Sequence, residues 1–508
     1  MTTPEPTPSA EPAARRRLRE STLTGLPPNV KRPAYDRSKT QMGVVHFGPG
    51  AFHRVHQAWF FEQALARDPR WGICGVSLRS PDVRDALNPQ DNLYTVAVRD
   101  ETLSHEVIGA LRELMVAPEN PERVVQRLCA PTTHIVTITV TEKGYCLAAD
   151  GTLDLAHPDI ARDLQNRAAP WSVIGFLVEA LKRRRDSGAP PLTVISCDNL
   201  VDNGAKLRRA TAQFARTFDN ALAEWIEQDV FFPRTMIDSI TPATTDALRT
   251  SVSAALGGLE DRWPVQREAF VQWVIEAGFR GETPDWENIG VTLTNDVAGY
   301  DRAKLRLLNG AHSTLAYTGS LLGYQTVADA MRDEDLSTFV KTLMVADIVP
   351  TLSTPRGLDL HAYIAAILKR FRNPNMHHQL AQIAWDGSQK LPFRILGTIR
   401  DALAAGRPTD RLCVPLAAWM RFVRRAAVWD DSLNDPLAKP LLDIGRACEG
   451  RGHTDVPLFL ALDAVFPADL RNEVRFTRPL TQVYDGNDTS DFIMPARVRE
   501  ALQNGETE

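Results

Sequence analysis

The chain has 508 residues, which is longer than one ordinary hydrophobic core supports and predicts at least two domains. Hydrophobic residues make up 44% of the chain and charged residues 24%, as in folded globular proteins. The formal net charge of -5 excludes a general electrostatic attraction to nucleic acid or to an anionic membrane surface.

Six cysteines lie far apart, without a CxxC pair or a metal-ligand spacing, which favours a reducing cytoplasm over a disulfide framework. No apolar run is long enough to cross a bilayer. The first residues are rich in Pro, Ala, Thr and Arg, so we predict a disordered tail over residues 1–40. Together these features predict a cytoplasmic protein that binds neither nucleic acid nor a membrane. The oligomeric state stays open between a monomer and a small homo-oligomer.

Ordered structure is predicted to begin with a strand at residues 43–47, followed by a glycine turn and a helix over residues 52–66. Further apolar, β-branched runs predict strands at residues 71–78, 134–140 and 192–197, with a helix at residues 172–185 between the last two. Strands that are apolar throughout and alternate with helices indicate a parallel sheet covered on both faces. We therefore predict an α/β, Rossmann-like dinucleotide-binding domain over residues 41–295.

From about residue 300 the pattern changes to amphipathic stretches of helical period, at residues 302–322, 335–344, 362–372 and 415–427. Strand-like runs become scarce in this part. A mostly α-helical second domain is predicted over residues 296–508.

The turn after the first strand supplies two of the three glycines of a dinucleotide fingerprint, Gly48 and Gly50, while His53 takes the third place. This pattern is compatible both with a pyrophosphate site and with an ordinary turn between a strand and a helix. Asp82 is the candidate for the acidic group that holds the adenosine ribose and favours NAD. Arg79 precedes it and favours NADP, so both cofactors stay open.

Polar side chains cluster on one side of a helix that begins near residue 300. With Lys304 at 0° on an α-helix, Asp301 lies at about 60°, His312 at about 80° and Asn309 at about 140°. A lysine whose amine is kept neutral by burial can accept the proton of a hydroxyl group, and an amide can donate to the oxygen that becomes negative. A solvated polar face of a helix is the alternative interpretation.

Six segments in the same order resemble the polyol-specific long-chain dehydrogenases, also called the mannitol dehydrogenase family, and the resemblance extends over residues 40–490. These segments are residues 48–58, 139–145, 196–200, 232–242, 304–313 and 386–390. The resemblance implies a metal-independent, NAD(P)-dependent oxidoreductase that interconverts a secondary alcohol and a ketone on a sugar acid or polyol.

The resemblance also implies roles for single residues. Lys304 is implied as the general base, Asp301 as the group that relays its proton, and Asn199 and Asn309 as donors to the developing oxyanion. His312, Asp238 and Lys390 are implied at the substrate, whereas Gly48, Gly50, Phe52 and Arg54 are implied at the cofactor. Glutamate is common at the place of Asp301, so the shorter side chain is a departure from the family pattern.

Gln382 indicates the substrate, because mannitol-type members usually have an arginine four residues before the Asp-Gly-Ser motif that starts at Asp386. The surrounding sequence resembles the fructuronate reductase, or mannonate oxidoreductase, branch of the family. We therefore expect NADH-dependent, reversible reduction of fructuronate to mannonate. The alternatives are a mannitol 2-dehydrogenase or related alditol dehydrogenase and, more remotely, a dinucleotide-binding sensor without turnover.

Overall fold

The computed structural model describes residues 16–100, 102–376 and 378–503. The chain divides into two compact units after Val297, close to the boundary expected at residue 295. The strands that these described residues form all belong to the N-terminal unit, and the C-terminal unit is helical. A parallel-sheet domain followed by a helical domain confirms the predicted fold class.

The N-terminal unit contains strands of two to six residues. They are β1 (Val30–Lys31), β2 (Val44–Phe47), β3 (Ile73–Ser77), β4 (Tyr94–Arg99), β5 (Leu103–Ile108), β6 (Leu111–Val116), β7 (Ile135–Ile138), β8 (Thr193–Ser196), β9 (Thr235–Asp238), β10 (Val265–Glu268), β11 (Gln272–Glu276) and β12 (Thr292–Thr294).

Its α-helices connect or cover these strands. They are α1 (Ala51–Val55), α2 (Gln57–Leu65), α3 (Asp82–Leu87), α4 (Pro121–Cys129), α5 (Pro158–Gln165), α6 (Val173–Asp186), α7 (Asn203–Arg216), α8 (Asn220–Asp229) and α9 (Asp246–Ala255). The single helix predicted over residues 52–66 is in fact two helices, because the backbone of His56 leaves the helical region at φ -113° and ψ -88°.

The central sheet has five parallel strands in the order β6-β3-β2-β7-β8. Alternate residues of a strand face opposite sides of a sheet. Val45 and Phe47 accordingly pack in the core with α4, α6, α7 and α8, whereas Val44 packs in the core with α1 and α2. Both faces of β2 are therefore covered, which explains why its sequence is apolar without alternation.

Two smaller sheets were not predicted. One has the order β1-β5-β4-β10 and the other the order β12-β11-β9, and each contains one antiparallel pair. Their strands are short and partly polar, as in Leu103–Ile108, so the sequence pattern does not separate them from loops.

The predicted disordered tail is wrong from residue 16 onward. Leu18 is 0% exposed and Leu26 is 5% exposed, and both pack in a cluster with Val252 and Leu256. β1 pairs in parallel with β5. Because these contacts join residues far apart in the sequence, local composition does not reveal them. Residues 1–15 lie outside the described residues.

The C-terminal unit consists of α-helices joined by turns, loops and short π- or 3-10-helical segments. They are α10 (Val297–Ala303), α11 (Gly310–Leu321), α12 (Val327–Arg332), α13 (Glu334–Thr342), α14 (Leu360–Arg372), α15 (Leu380–Ile383), α16 (Gly387–Leu391), α17 (Gly397–Ala404), α18 (Asp410–Val428), α19 (Ala438–Ala447), α20 (Gly452–Leu460), α21 (Ala468–Arg471), α22 (Val474–Tyr484) and α23 (Ala496–Gln503).

Helix α11 forms the centre of this unit. Every residue of α11 except Ser320 is buried, and the helix contacts α12, α15 and α18. A helix that is covered on all sides gives its side chains little freedom, so the groups it carries are held in place. Among the described residues, no helix is both long and apolar enough to span a bilayer.

Candidate active site

The turn after β2 requires glycine at its first position. Gly48 has φ +88°, and a Cβ atom there would lie 2.1 Å from the carbonyl oxygen of Thr139, just beyond β7. The Thr139 hydroxyl donates to the Gly48 carbonyl at 2.8 Å. Gly50, at the start of α1, has open space where a Cβ atom would stand, with the nearest heavy atom 3.9 Å away. This arrangement fits a ligand that approaches the backbone, such as the pyrophosphate of a dinucleotide.

The third position of the fingerprint is filled by a buried imidazole. His53 stacks on His46 of β2, with ring centroids 3.3 Å apart and planes 14° apart. His46 lies 2.8 Å from the Thr137 hydroxyl and 3.0 Å from the Gly48 carbonyl oxygen. Burial lowers the pKa of His46 to about 3 and that of His53 well below its usual value. His53, which replaces the third glycine of the fingerprint, is therefore a residue of the protein core.

Arg54 does not lie where a cofactor could reach it, which corrects the expectation from the resemblance. Its side chain is completely buried, its Nη1 donates to the Trp263 carbonyl at 2.6 Å, and its guanidinium lies over the rings of Tyr94 and Trp263. Arg54 therefore ties α1 to the loop before β10. Phe52 is partly exposed and stacks on His56 at 5.0 Å, so it stays a candidate cofactor contact.

The carboxyl end of β3 carries the two residues that bear on cofactor choice. Arg79 donates to Asp159 at 2.7 Å and stacks on Trp171. Asp82 is exposed at the first position of α3, five residues beyond the end of β3. Asp82 stays a predicted ribose contact, although the first charged side chain after the strand is the arginine.

A half-buried carboxylate joins the carboxyl ends of β7 and β8. Asp198 accepts hydrogen bonds from the backbone N–H groups of Val140 and Thr141, both at 3.1 Å, and from the Tyr145 hydroxyl at 2.7 Å. These bonds place the next residue, Asn199, in an exposed position beside the loop that follows β7. The sequence analysis did not assign a structural role to Asp198, which these bonds show to connect the ends of the two strands.

Asp238, the other site residue predicted in the N-terminal unit, is the last residue of β9. It is buried at 4% exposure and lies opposite Gln272 of β11. Its placement on a paired strand makes its position rigid.

In the C-terminal unit, the predicted catalytic helix is not a regular α-helix. Residues Lys304–Asn309 form a π-helical turn between α10 and α11, in which the N–H of Gly310 bonds to the carbonyl of Leu305. In such a turn, residues five apart lie about one turn apart. Asn309 is therefore brought toward the face of Lys304, and its expected angle of about 140° from Lys304 is wrong for this geometry.

Lys304 is buried at 7% exposure, and Asp301 lies one turn earlier, partly buried near the end of α10. Asn309 is also partly buried. Irregular π turns are frequent at functional sites because they re-aim side chains without ending the helix. The geometry supports the interpretation of this segment as a site rather than as a solvated face.

His312 is the third residue of α11 and lies in an environment of rings and cations. Its ring centroid is 4.5 Å from that of Phe371 and 5.0 Å from that of His378. Burial, and then the charges of neighbouring groups that include Arg394, lower its pKa well below the usual value. Its Nε2 is buried without a hydrogen-bond partner in the part of the chain that the structure describes. The imidazole is therefore neutral and available to a ligand.

Close contacts hold the segment Asp386–Lys390 against α11. A Cβ atom on Gly387 would lie 2.4 Å from the Tyr317 hydroxyl, so only glycine permits this approach. The backbone N–H of Ser388 donates to Asp435 at 2.8 Å. Lys390, at the end of this segment, donates to the Ile383 carbonyl at 3.4 Å, and burial followed by the charge of Arg394 lowers its pKa to about 8.

Arg394 is a residue of this site that the sequence analysis missed. It lies in a second π-helical turn, Pro392–Leu396, and its Nη1 donates to the Ser313 hydroxyl at 3.0 Å and toward the Asn309 carbonyl at 3.5 Å. In the sequence, its position four residues after Lys390 was the only feature that could have indicated Arg394 as a site residue. Gln382, in contrast, is exposed on α15.

One group of side chains in the described ranges could hold a metal ion: Cys146, His157 and Asp159. His157 Nδ1 accepts from the Asp159 backbone, and Asp159 is paired with Arg79 at 2.7 Å. Those contacts occupy two of the three candidate ligands, and all three lie in the N-terminal unit, whereas Lys304 lies in the C-terminal unit. We assign no metal to this group.

Comparison with known proteins identifies both units. Residues 42–288 match the model of the mannitol dehydrogenase Rossmann domain, and residues 296–486 match that of the mannitol dehydrogenase C-terminal domain.

Individual proteins match over most of their length. D-mannonate oxidoreductase of Escherichia coli (strain K12) is 40% identical over 90% of this chain and 95% of its own. Polyol:NADP oxidoreductase of Gluconobacter oxydans (strain 621H) is 39% identical over 80% of this chain and 85% of its own. The ternary complex of Pseudomonas fluorescens mannitol 2-dehydrogenase with NAD and D-mannitol is 34% identical, with a TM-score of 0.80 over 96% of this chain and 99% of that one.

Proposed function

The chain belongs to the mannitol dehydrogenase family, whose members are oxidoreductases acting on CH–OH groups, and on this basis we propose that it is a fructuronate reductase. In this proposal the protein reduces the ketone of fructuronate to the secondary alcohol of mannonate, reversibly, with NADH. The names of relatives with similar sequence identity specify different substrates. The choice of fructuronate as substrate therefore rests on the residues of the site.

The observation that carries the proposal is the positive character of the site in the C-terminal unit. Lys390 and Arg394 lie close enough for the charge of Arg394 to lower the pKa of Lys390, and Arg394 also lowers the pKa of His312. An alditol has no charge to compensate these cations, whereas a sugar acid has a carboxylate. Gln382, in place of the arginine usual in mannitol-type members, and the likeness to D-mannonate oxidoreductase support the same choice.

The chemistry follows from the residues of the π turn. A bound nicotinamide cofactor would supply the hydride for reduction and accept it in oxidation. Lys304 would give a proton to the carbonyl oxygen in reduction and take it back in oxidation, since burial penalises the charged form of a lysine. Asn309 would donate a hydrogen bond to the same oxygen as it becomes negative. Asp301, one turn away from Lys304, would pass the proton onward.

Other residues retain proposed roles in binding. His312, neutral and with an unused Nε2, would orient a substrate hydroxyl. Asn199 and Asp238 in the N-terminal unit are proposed as further oxyanion and substrate contacts. Gly48 and Gly50 would hold the cofactor pyrophosphate, and Phe52 and Asp82 its other parts. NAD is proposed as cofactor, with NADP as the alternative that Arg79 and the polyol:NADP relative support.

A substrate panel tests this proposal. Initial rates of NADH and NADPH oxidation would be measured with fructuronate and with fructose, and the reverse reaction with mannonate, mannitol and arabinitol. We expect kcat/KM to be highest with fructuronate and NADH. Higher efficiency with fructose would identify a mannitol 2-dehydrogenase, and binding of NADH without turnover of any compound would indicate a sensor.

A further inference from the structure

Two cations of the C-terminal unit, Lys390 and Arg394, are partly buried and form no ion pair with a described residue. The charges of Asp386 and Asp435 raise the pKa of Lys390 from beyond ion-pair distance, but burial and the charge of Arg394 outweigh them. Lys390 has only the carbonyl of Ile383, at 3.4 Å. Arg394 uses Nη1 for the Ser313 hydroxyl and the Asn309 carbonyl, and its Nε and Nη2 make no hydrogen bond to a described residue.

Other buried arginines of this protein are better satisfied. Arg306, in the π turn of Lys304, bonds to Asp401 at 2.6 Å and to Thr351. Arg184 donates to three carbonyl groups, and Arg421 donates to the carbonyls of Tyr484 and Gly450. Arg54 is the counterexample, because its guanidinium has a single carbonyl contact, but it is enclosed by the rings of Tyr94 and Trp263. Burying an incompletely paired charge is costly.

The two cations also oppose each other. Lys390 and Arg394 are four residues apart, and after burial the charge of Arg394 is the next cause that lowers the pKa of Lys390. Burial lowers the pKa of Arg394 to about 10, and the pKa of Lys390 is lowered to about 8. A ligand that brings a negative charge would relieve both effects.

The position of Arg394 connects this charge to the proposed chemistry. Its two contacts, the Asn309 carbonyl and the Ser313 hydroxyl, belong to the turn of helix that also carries His312. An anionic group held by Arg394 would therefore lie beside Asn309 and His312. A planar guanidinium with free N–H groups matches the two oxygens of a carboxylate.

We propose that Arg394, with Lys390 beside it, binds the carboxylate of a sugar acid and so determines the preference of this protein for sugar acids over alditols. This inference rests on the proposed function, because it assigns the acidic group of that substrate to a specific side chain. The uncharged part of the sugar would then extend from Arg394 toward Asn309 and His312.

The test compares Arg394→Gln with wild type and with Arg400→Gln. The control removes an arginine six residues away that is paired with Asp469 at the surface. The readouts are kcat and KM for fructuronate and for fructose, and the inhibition constant of mannonate against whichever ketone is reduced. Hydrogen bonds to charged groups predict a loss of about 10- to 100-fold in kcat/KM for fructuronate, mainly through KM, and a similar weakening of mannonate inhibition.

Because Arg394 also contacts the Asn309 carbonyl, Arg394→Gln should slow the reduction of fructose as well, but the ratio of kcat/KM for fructuronate to kcat/KM for fructose should fall by about tenfold or more. Arg400→Gln should resemble wild type with both. If Arg394→Gln does not fold, Arg394→Lys takes its place, and it should weaken mannonate inhibition while the preference for the acid remains. Equal losses with fructuronate and fructose would show that Arg394 only braces the π turn, and unchanged kinetics would also overturn the inference.

The mannonate inhibition constant separates this inference from the proposed function. A wild-type protein that reduces only fructose, yet is inhibited by mannonate through Arg394, would refute the fructuronate reductase activity and support the carboxylate site. A wild-type protein that reduces fructuronate with no dependence on Arg394 would do the reverse. Absence of both reduction and inhibition by any sugar acid would refute both.

Discussion

The glycine turn after β2 and the π turn before α11 differ in what determines their geometry. Steric exclusion determines the first, because the backbone of Thr139 leaves no room for a side chain on Gly48. Long-range contacts brace the second: Arg306 bonds to Thr351 and Asp401, and Arg394 to the Asn309 carbonyl. A site built from backbone should respond to mutation in stability and cofactor binding, whereas a site built from side chains should respond in turnover.

The largest expected effect is on turnover, in the C-terminal unit. Lys304→Ala should lower kcat by about two to four orders of magnitude, the usual range for the loss of a positioned proton acceptor, with little change in the dissociation constant of NADH. The control is Lys341→Ala, which removes an exposed lysine of α13. Steady-state kinetics and fluorescence titration measure both quantities. If Lys304→Ala kept the wild-type kcat and only its KM rose, Lys304 would be a binding group and not the proton acceptor.

The glycine turn gives a matched pair of variants. Gly48→Ala should lower the free energy of unfolding by about 4 kcal/mol, because the new methyl group meets the Thr139 carbonyl and the backbone is left-handed. Gly50→Ala has open space and should leave stability nearly unchanged while weakening NADH binding. Chemical unfolding and NADH titration of both variants test this difference. Equal stability of Gly48→Ala and wild type would refute the steric explanation.

The segment before β2 should matter for stability and not for chemistry. Leu18 is fully buried in the N-terminal unit, so Leu18→Ala should lower the free energy of unfolding by about 3 kcal/mol. The kcat of the folded enzyme should stay close to wild type. Leu103→Ala, at a 45% exposed leucine of the same unit, is the control and should cost much less. Chemical unfolding measures this loss. Similar unfolding midpoints for Leu18→Ala and wild type would mean that this segment does not contribute to the core.

The smallest expected effect concerns pH. The folded protein keeps His46 neutral because burial lowers its pKa to about 3, whereas the unfolded chain takes up a proton below a pKa of 6.5. Stability that is present above pH 6.5 is therefore lost as the pH falls toward 3. Between pH 7 and pH 5 this loss amounts to about 2 kcal/mol for His46.

Urea unfolding at both pH values measures this loss, and His46→Gln should reduce the difference between them by that amount. The control is His453→Gln, at an exposed histidine of α20. A difference that stays unchanged in His46→Gln would show that His46 does not titrate on unfolding.

Local patterns were sufficient for the parts of the fold that are periodic or sterically special. The apolar runs of β2, β3, β7 and β8 identified four strands of the central sheet, because a strand covered on both faces must be apolar at every position. The glycine turn and the cluster around Lys304 were found because particular residue types stand at particular spacings. The same reasoning missed the partly polar strands of the two smaller sheets.

The sequence by itself named most of the candidate site residues, whereas the tertiary structure added Arg394 and decided how these residues are arranged. The place of Arg54 in the sequence, four residues after Gly50, is compatible with a cofactor contact and with a core residue. Only its packing against the rings of Tyr94 and Trp263 shows that it belongs to the core. The π turn and the partners of Arg394 depend on contacts between segments about 80 residues apart. Such contacts leave no local pattern, because the packing energy that selects them exists only once the chain has folded.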